Sequence, residues 1–254
     1  MVKKIIITGA SRGIGKEVAI EFAKLGHQLV LLARDEDRLA GICKSLKELN
    51  KKVFYKVCDV TYKNQMNDSV NYAIQKMGGI DIAILNSGIA GSGYFENFDS
   101  DNFKRIFNVN VFGLLYGMEF LIPIMKKQGS GTIAGVSSLA DARGFPGNAA
   151  YSASKSSASF ILESARVELA RFGINVVTIK PGFVKTDLIA KNTFYMPLLM
   201  EADKAAKIIV SGILSGKKRI AFPLPMVFLT YIVKILPSAV YEFLIKLYGK
   251  PINE

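Results

Sequence analysis

The chain has 254 residues, half of them apolar, which is enough for one large domain with a buried core. Its two cysteines, Cys43 and Cys58, have no paired spacing, and His27 is its one histidine, so a disulfide framework, a zinc or other metal site and a histidine triad are all disfavoured and a reducing, cytoplasmic setting fits. Thirty-three Lys and Arg against 21 Asp and Glu leave a formal charge of +12, which suits an anionic surface, but the bases are scattered without an aromatic-interleaved arm, and no nucleic-acid partner is expected.

Residues 3–9 read as a first strand that begins too early for a signal peptide. It runs into Thr8-Gly9-Ala10-Ser11-Arg12-Gly13-Ile14-Gly15, and Val18, Ala19, Phe22, Ala23 and Leu25 then recur at helical spacing. Glycines in a strand-turn-helix let backbone approach a pyrophosphate at a helix N-terminus, where free N–H groups and the dipole favour anions. His27 follows Leu25-Gly26 and is expected in a surface turn. Gln28 to Ala33 form a second buried strand with Arg34 at its tip, where an acid would hold the 2′-hydroxyl of NAD and an arginine suits a 2′-phosphate. Arg12 in the nearby turn adds a second guanidinium, which points to NADP(H) ahead of NAD(H).

An amphipathic helix over 36–49 and a third strand over 52–60 follow. Asp59 either accepts from an adenine amino group or caps the helix that begins near Asn64. A fourth strand, Ile80 to Leu85, leads into Asn86-Ser87-Gly88. A long helical pattern from Asn102 to Lys127 contains Asn110 among apolar neighbours, so that amide is either bonded in the core or lines a site. Gly131 to Val136 make a fifth strand delivering Ser137 and Ser138, Ile174 to Ile179 a sixth ending in Lys180-Pro181-Gly182-Phe183-Val184-Lys185-Thr186, and a seventh lies near Arg219. Alternating strands and helices with short links predict one α/β domain over 1–254, a doubly wound parallel sheet of about seven strands with helices on both faces and its ligand at the strands' carboxyl ends.

Tyr151 and Lys155 are four residues apart, which stacks phenol and ammonium on one helix face. A fixed positive charge favours the phenolate, so Lys155 would make Tyr151 a working acid or base.

Together, Thr8-Gly9-x-x-x-Gly13-x-Gly15, Asn86-x-Gly88, Asn110, Ser138, Tyr151-x-x-x-Lys155 and Pro181-Gly182 resemble the short-chain dehydrogenase/reductase family, over about Lys3 to Thr186. The resemblance implies Tyr151 as the proton donor to a carbonyl oxygen, Ser138 as its positioner, Lys155 as the residue that lowers the Tyr151 pKa and holds the nicotinamide ribose, and Asn110 as the holder of a relay water. It places Thr8, Gly9, Ser11, Arg12, Gly13, Ile14 and Gly15 in the phosphate turn, with Arg34, Asp59, Val60, Asn86 and Gly88 also in the cofactor-binding set. Pro181, Gly182, Val184 and Thr186 stand beside the nicotinamide. The chain departs from the family at Leu85-Asn86-Ser87-Gly88, where the usual first asparagine is missing and a local strand-end hydrogen bond is put in doubt.

The family also implies a homodimer or homotetramer through the helices at 102–127 and 151–172. An apolar segment, 186–200, with Phe194, Tyr195, Met196, Leu198 and Leu199, is either a lid over a lipophilic substrate or a packing surface. The extension 220–250 carries a polar stripe, Thr230, Lys234, Ser238, Glu242, Lys246 and Lys250, leaving most of a helix apolar. It packs on the core or a second copy, or lies on the inner face of a membrane as a peripheral contact. The expected activity is NADP(H)-dependent reduction of a ketone to a secondary alcohol on a hydrophobic or lipid-like carbonyl substrate. NAD-dependent alcohol oxidation, a 3-oxoacyl carrier-protein reductase and a non-catalytic NADP sensor are the rivals.

Overall fold

Runs such as Ile5-Ile6-Ile7 and Leu29-Val30-Leu31-Leu32 are apolar on both faces of a pleated strand, and such strands belong in a sheet covered on both sides. The computed structural model, which describes residues 1–190 and 196–248, shows this arrangement. In chain order the elements are β1 (Lys4–Thr8), α1 (Gly13–Lys24), β2 (Gln28–Ala33), α2 (Glu36–Leu49), β3 (Val53–Val57), α3 (Lys63–Met77), β4 (Ile82–Leu85), α4 (Ser100–Phe107), α5 (Gly113–Gln128), β5 (Gly131–Val136), α6 (Ala149–Leu169), β6 (Ile174–Pro181), α7 (Ala202–Leu214), β7 (Arg219–Phe222), α8 (Leu224–Ile235) and α9 (Ser238–Tyr248).

All seven strands are parallel, in the order β3-β2-β1-β4-β5-β6-β7. The chain reverses its direction of winding between β1 and β4, so a crevice opens at their carboxyl ends. Alternate residues of each strand divide the core. Ile5, Ile7, Leu29 and Leu31 pack with Phe22 and Ile209 of α1 and α7, and Ile6, Val30 and Leu32 share the opposite cluster with Met118, Leu121 and Leu162 of α5 and α6. Phe22 is fully buried, and truncating such a ring to alanine costs about 3–5 kcal/mol.

Four expectations change. His27 is not in a surface turn: it is buried, its Nδ1 accepts from the Lys3 N–H at 3.0 Å, its ring meets Phe22, and burial pushes its pKa down. The pattern over 102–127 is two α-helices joined by a π-turn at Asn108–Phe112. Asp59 caps no helix, because Tyr62 is the N-cap of α3 and offers no side-chain bond; Asp59 instead accepts from the Thr61 N–H and hydroxyl at 2.9 and 2.8 Å. The polar stripe of the extension does not run along one helix, since α8 and α9 meet at a 120° bend around Leu236-Pro237. Phe194 and Tyr195 of the expected lid and Lys250 of the stripe lie outside the described residues.

Candidate active site

The crevice is assembled from strand ends. Thr8 closes β1, and its Oγ1 accepts from the N–H groups of Asn86 and Ser87 at 2.9 and 3.1 Å. Asn86 Nδ2 donates back to the carbonyls of Thr8 and Gly9 at 3.0 and 3.3 Å. The strand-end bonding that the missing asparagine put in doubt is thus made by Asn86 itself, while Leu85 is buried against Gly117.

Gly9 and Gly13 have φ of +65° and +55°, and a Cβ on Gly15 would stand 2.3 Å from the Gly9 carbonyl oxygen. Only glycine fits there. The first turn of α1 has no acidic residue, and its N-cap, Arg12, offers no side-chain bond, so its N–H groups remain for an outside anion. Thr186 lies over this turn, its Cγ2 3.1 Å from where a Gly13 Cβ would be, which joins the end of β6 to the glycine loop. A nicotinamide dinucleotide's pyrophosphate fits this cradle, with Ser11 and Ile14 on either side of the Arg12-Gly13 corner.

Three arginines surround the end of β2. Arg34 is 3.7 Å from Asp59, while Arg12 and Arg38 both reach Asp187, at 3.4 and 3.5 Å. Their side chains are 60, 55 and 55% exposed, so these are weak, exchangeable pairs that a phosphate can replace. Arg38 did not figure in the sequence reading. It enters because Asp35 caps α2 and accepts from the Arg38 N–H at 3.1 Å, which swings the first turn of that helix to the rim. Val60 packs on Gly113 one step inside.

On the other side, α6 brings Tyr151 and Lys155 together as their spacing requires, the Lys155 Nζ lying 5.7 Å from the phenol ring centre. Lys155 is 3% exposed and donates to the Val136 carbonyl at 2.8 Å. Burial lowers its pKa to about 8, against which the nearby Asp141 raises it. Burial pushes the Tyr151 phenol up, its hydrogen bond with Ser138 pulls it down, and Asp141 pushes it up again. The net direction for Tyr151 is upward, opposite to the lowering expected from Lys155, because removal from water outweighs everything else acting on the phenol.

Asn110 uses both of its amide hydrogens and one lone pair of its amide oxygen. Its Oδ1 accepts from the Ile89 N–H at 2.8 Å, and its Nδ2 donates to the Ile89 carbonyl at 3.0 Å and to Ser154 Oγ at 2.9 Å. Ser154 donates in turn to the Tyr151 carbonyl at 2.7 Å, so Asn110 ties the loop after β4 to the active-site helix. A Cβ on Gly88 would come within 3.3 Å of Lys155 Nζ and 3.4 Å of Asn110 Oδ1, which places the three groups around one point. Ser138 starts a 3-10 turn, Leu139–Asp141, by accepting from the Ala140 N–H at 3.1 Å. Pro181 is buried at the end of β6, the Gly182 N–H is bonded to Phe222 at 2.7 Å, and Val184 pairs with Met200.

A cavity of about 600 Å³ lies beside this site, lined by the rings of Tyr94, Phe95, Phe98 and Phe103 and by the polar side chains of Asp99, Asp101, Asn102 and Arg105. It reaches Ala150 but not Ser138, Tyr151 or Lys155 themselves. The loop that carries Arg143 is held by the extension. Arg143 donates to the carbonyls of Val233 and Leu236 and lies over the Tyr241 ring, whose hydroxyl donates to the Gly144 carbonyl at 2.7 Å.

A family model described as short chain dehydrogenase matches residues 3–194. An uncharacterized oxidoreductase of Myxococcus xanthus is 33% identical over 246 residues, 93% of this chain and 94% of its own length. A 3-ketoacyl-(acyl-carrier-protein) reductase from Brucella melitensis, solved with NADH, is similar at 27% identity and TM-score 0.77, over 83% of this chain and 90% of its own. The fold is also that of a short chain dehydrogenase/reductase from Burkholderia phymatum solved with NAD, at TM-score 0.84 and 22% identity over 100% of this chain and 97% of the other.

Proposed function

The chain belongs to the short-chain dehydrogenase/reductase family and is an oxidoreductase with a nucleotide-binding domain, and from that premise we propose that it uses NADP(H) to reduce a ketone to a secondary alcohol on a hydrophobic or lipid-like substrate. The observation that carries the reading is the convergence of Ser138, Tyr151 and Lys155 at the strand ends beside a glycine cradle that fits a dinucleotide. Arg12, Arg34 and Arg38, each paired with an exchangeable carboxylate, favour a 2′-phosphate over a free ribose hydroxyl.

A bound nicotinamide supplies the hydride. Tyr151, kept protonated by burial, gives its proton to the carbonyl oxygen that Ser138 orients by a second hydrogen bond. Lys155, with a pKa near 8, keeps most of its charge at neutral pH and stabilises the phenolate left behind. Asn110, fixed beside Lys155, holds the relay water through which the proton is replaced.

The four aromatic rings in the cavity wall and the exposed Leu188, Leu198 and Leu199 support a lipophilic substrate, with Asp99, Asp101 and Arg105 left to meet its polar end. The ketoacyl reductase relative supports a second reading, a 3-oxoacyl chain on an acidic carrier protein, which the +12 charge would attract. Hydride transfer followed across free ketones, 3-oxoacyl carriers and secondary alcohols, with each nicotinamide cofactor, decides between them. Turnover of a bulky free ketone with NADPH is expected; NADH-driven turnover alone would remove the cofactor assignment, and cofactor binding without turnover on any substrate would make the protein a sensor.

The extension favours a peripheral contact with an anionic membrane. Leu224, Phe228, Ile235, Phe243 and Leu247 of α8 and α9 are all more than half exposed, with Lys234 and Lys246 on the same two helices. Co-sedimentation with anionic vesicles, lost in Phe228→Ser/Phe243→Ser, is expected; equal sedimentation of both forms sinks this contact and leaves a second copy of the chain as the cover. A homodimer through α5 and α6 accounts for the exposed Phe112, Phe160 and Val167.

A further inference from the structure

Behind the catalytic residues is a charged pair that the reaction does not use directly. Lys180 Nζ lies 2.5 Å from Asp141 Oδ2, with the two side chains 17 and 7% exposed. An ion pair this deep is expensive to desolvate and is not explained by stability alone. Its surroundings are built. The Ser159 hydroxyl bonds to the same Asp141 oxygen and stands 2.8 Å from Ser137 Oγ, and Ser137 donates to the Lys155 carbonyl at 2.8 Å. The Asp141 carbonyl accepts from Ser156 at 2.7 Å. Asp141 therefore grips α6 at Ser156, next to Lys155, and at Ser159, one turn further on. Through Lys180 it also grips the residue immediately before Pro181-Gly182.

We propose that Asp141, paired with Lys180, is a positioning residue for the Tyr151–Lys155 acid: it clamps α6 to the end of β6 and keeps a negative charge behind the two reacting side chains. The inference rests on the reading of Tyr151 as the proton donor. Four ionisable groups face this point: Tyr151 and Lys155 on α6, Asp141 from the 3-10 turn and Lys180 from β6. Arg143, two residues from Asp141, turns away to the carbonyls of Val233 and Leu236. Both effects of the Asp141 charge agree in sign, for it holds the Lys155 ammonium charged and opposes ionisation of the Tyr151 phenol. Without it, both protons leave at lower pH.

The test uses the full chain and two variants, Asp141→Asn, and Asp141→Asn/Lys180→Met, which avoids a buried lysine without a counter-ion. The first readout needs no substrate. The Tyr151 phenol is titrated by ultraviolet absorbance as the difference between each protein and its Tyr151→Phe partner. The second is the alkaline limb of the pH profile of ketone reduction. In Asp141→Asn both are expected to move down by about one pH unit, the range of a nearby charge. In the double variant they move the same way by less, while the melting temperature lost in the single variant returns. A phenol titration that coincides with wild type in the folded double variant, with only a lower melting temperature or kcat in the single, overturns the proposal. Absence of turnover on every ketone would count against the reductase reading, and the phenol titration would still decide the role of Asp141.

Discussion

The two walls of the crevice handle charge in opposite ways. At the β2 end, Arg12, Arg34 and Arg38 are more than half exposed, and each meets a carboxylate at 3.2–3.7 Å that can be exchanged for a ligand. At the β5 and β6 ends, Lys155 is 3% exposed, is held by a backbone carbonyl, and has a pKa lowered by burial. Exposed guanidinium groups keep their charge at little free-energy cost, so they suit discrimination between ligands. A buried lysine and phenol have altered acidity, which is what proton transfer requires. On the proposed function, selectivity and chemistry would thereby be separated along one sheet edge, and substitutions on one wall should leave the other's property intact.

Tyr151→Phe should separate them most clearly. Loss of the phenolic proton is expected to lower kcat by about 10²–10⁴-fold, the range of general acid catalysis, with cofactor affinity kept within about threefold, as read by steady-state kinetics and cofactor titration. An equal loss in cofactor binding would show that the walls are not independent.

Lys155→Met sharpens the contrast from the side of stability. A lysine whose folded pKa is about 8, against an ordinary 10.5, is charged in both states below pH 8, so its burial penalty is fully present there. As pH rises from 8 to 10.5 the folded protein binds fewer protons than the unfolded chain, and wild type gains stability that the variant does not. The inactive variant should therefore be the more stable by on the order of 3 kcal/mol at pH 7, with the difference closing by pH 10.5. Denaturation across that window checks it, and a difference independent of pH would assign the lysine to packing. Smallest is the effect of Arg34→Ala/Arg38→Ala, a loss of about tenfold in NADPH affinity with NADH affinity unchanged, because exposed ionic hydrogen bonds contribute little. A parallel loss for both cofactors would mean that these arginines do not read the 2′-phosphate.

What could be seen in the sequence depended on how local its cause was. The seven strands were visible because apolar runs between glycine and polar breaks need no tertiary information, and Tyr151 with Lys155 because a four-residue step on a helix already sets their contact. Arg38 was hidden: its reach to the rim depends on the Asp35 cap and on Asp187, 149 residues away. Asp141 and Lys180 were hidden for the same reason, since nothing in either neighbourhood signals the other. His27 looked like a turn residue because it follows a glycine, yet the backbone of Lys3 crosses over it and uses its ring nitrogen. Pro237 was visible, but the four-residue stripe drew Thr230 and Glu242 onto one axis, whereas the chain turns sharply between them.

The π-turn at Asn108–Phe112 leaves an accounting of rotation. α4, the turn and α5 form one continuous rod from Ser100 to Gln128, but the turn widens one coil enough to seat Asn110 against Ile89 and Ser154. Each residue of an α-helix advances the azimuth by about 100°. The wide coil absorbs its extra residue within the turn, so deleting a single residue here would restore an ideal coil with the azimuth of α5 nearly kept, whereas a deletion in the regular turns before Leu121 would carry Leu121 and Met125 out of the core by that angle. A one-residue deletion should accordingly be better tolerated at this coil than in the regular turns before Leu121, its cost at the coil being the seat of Asn110 and not the phase of α5.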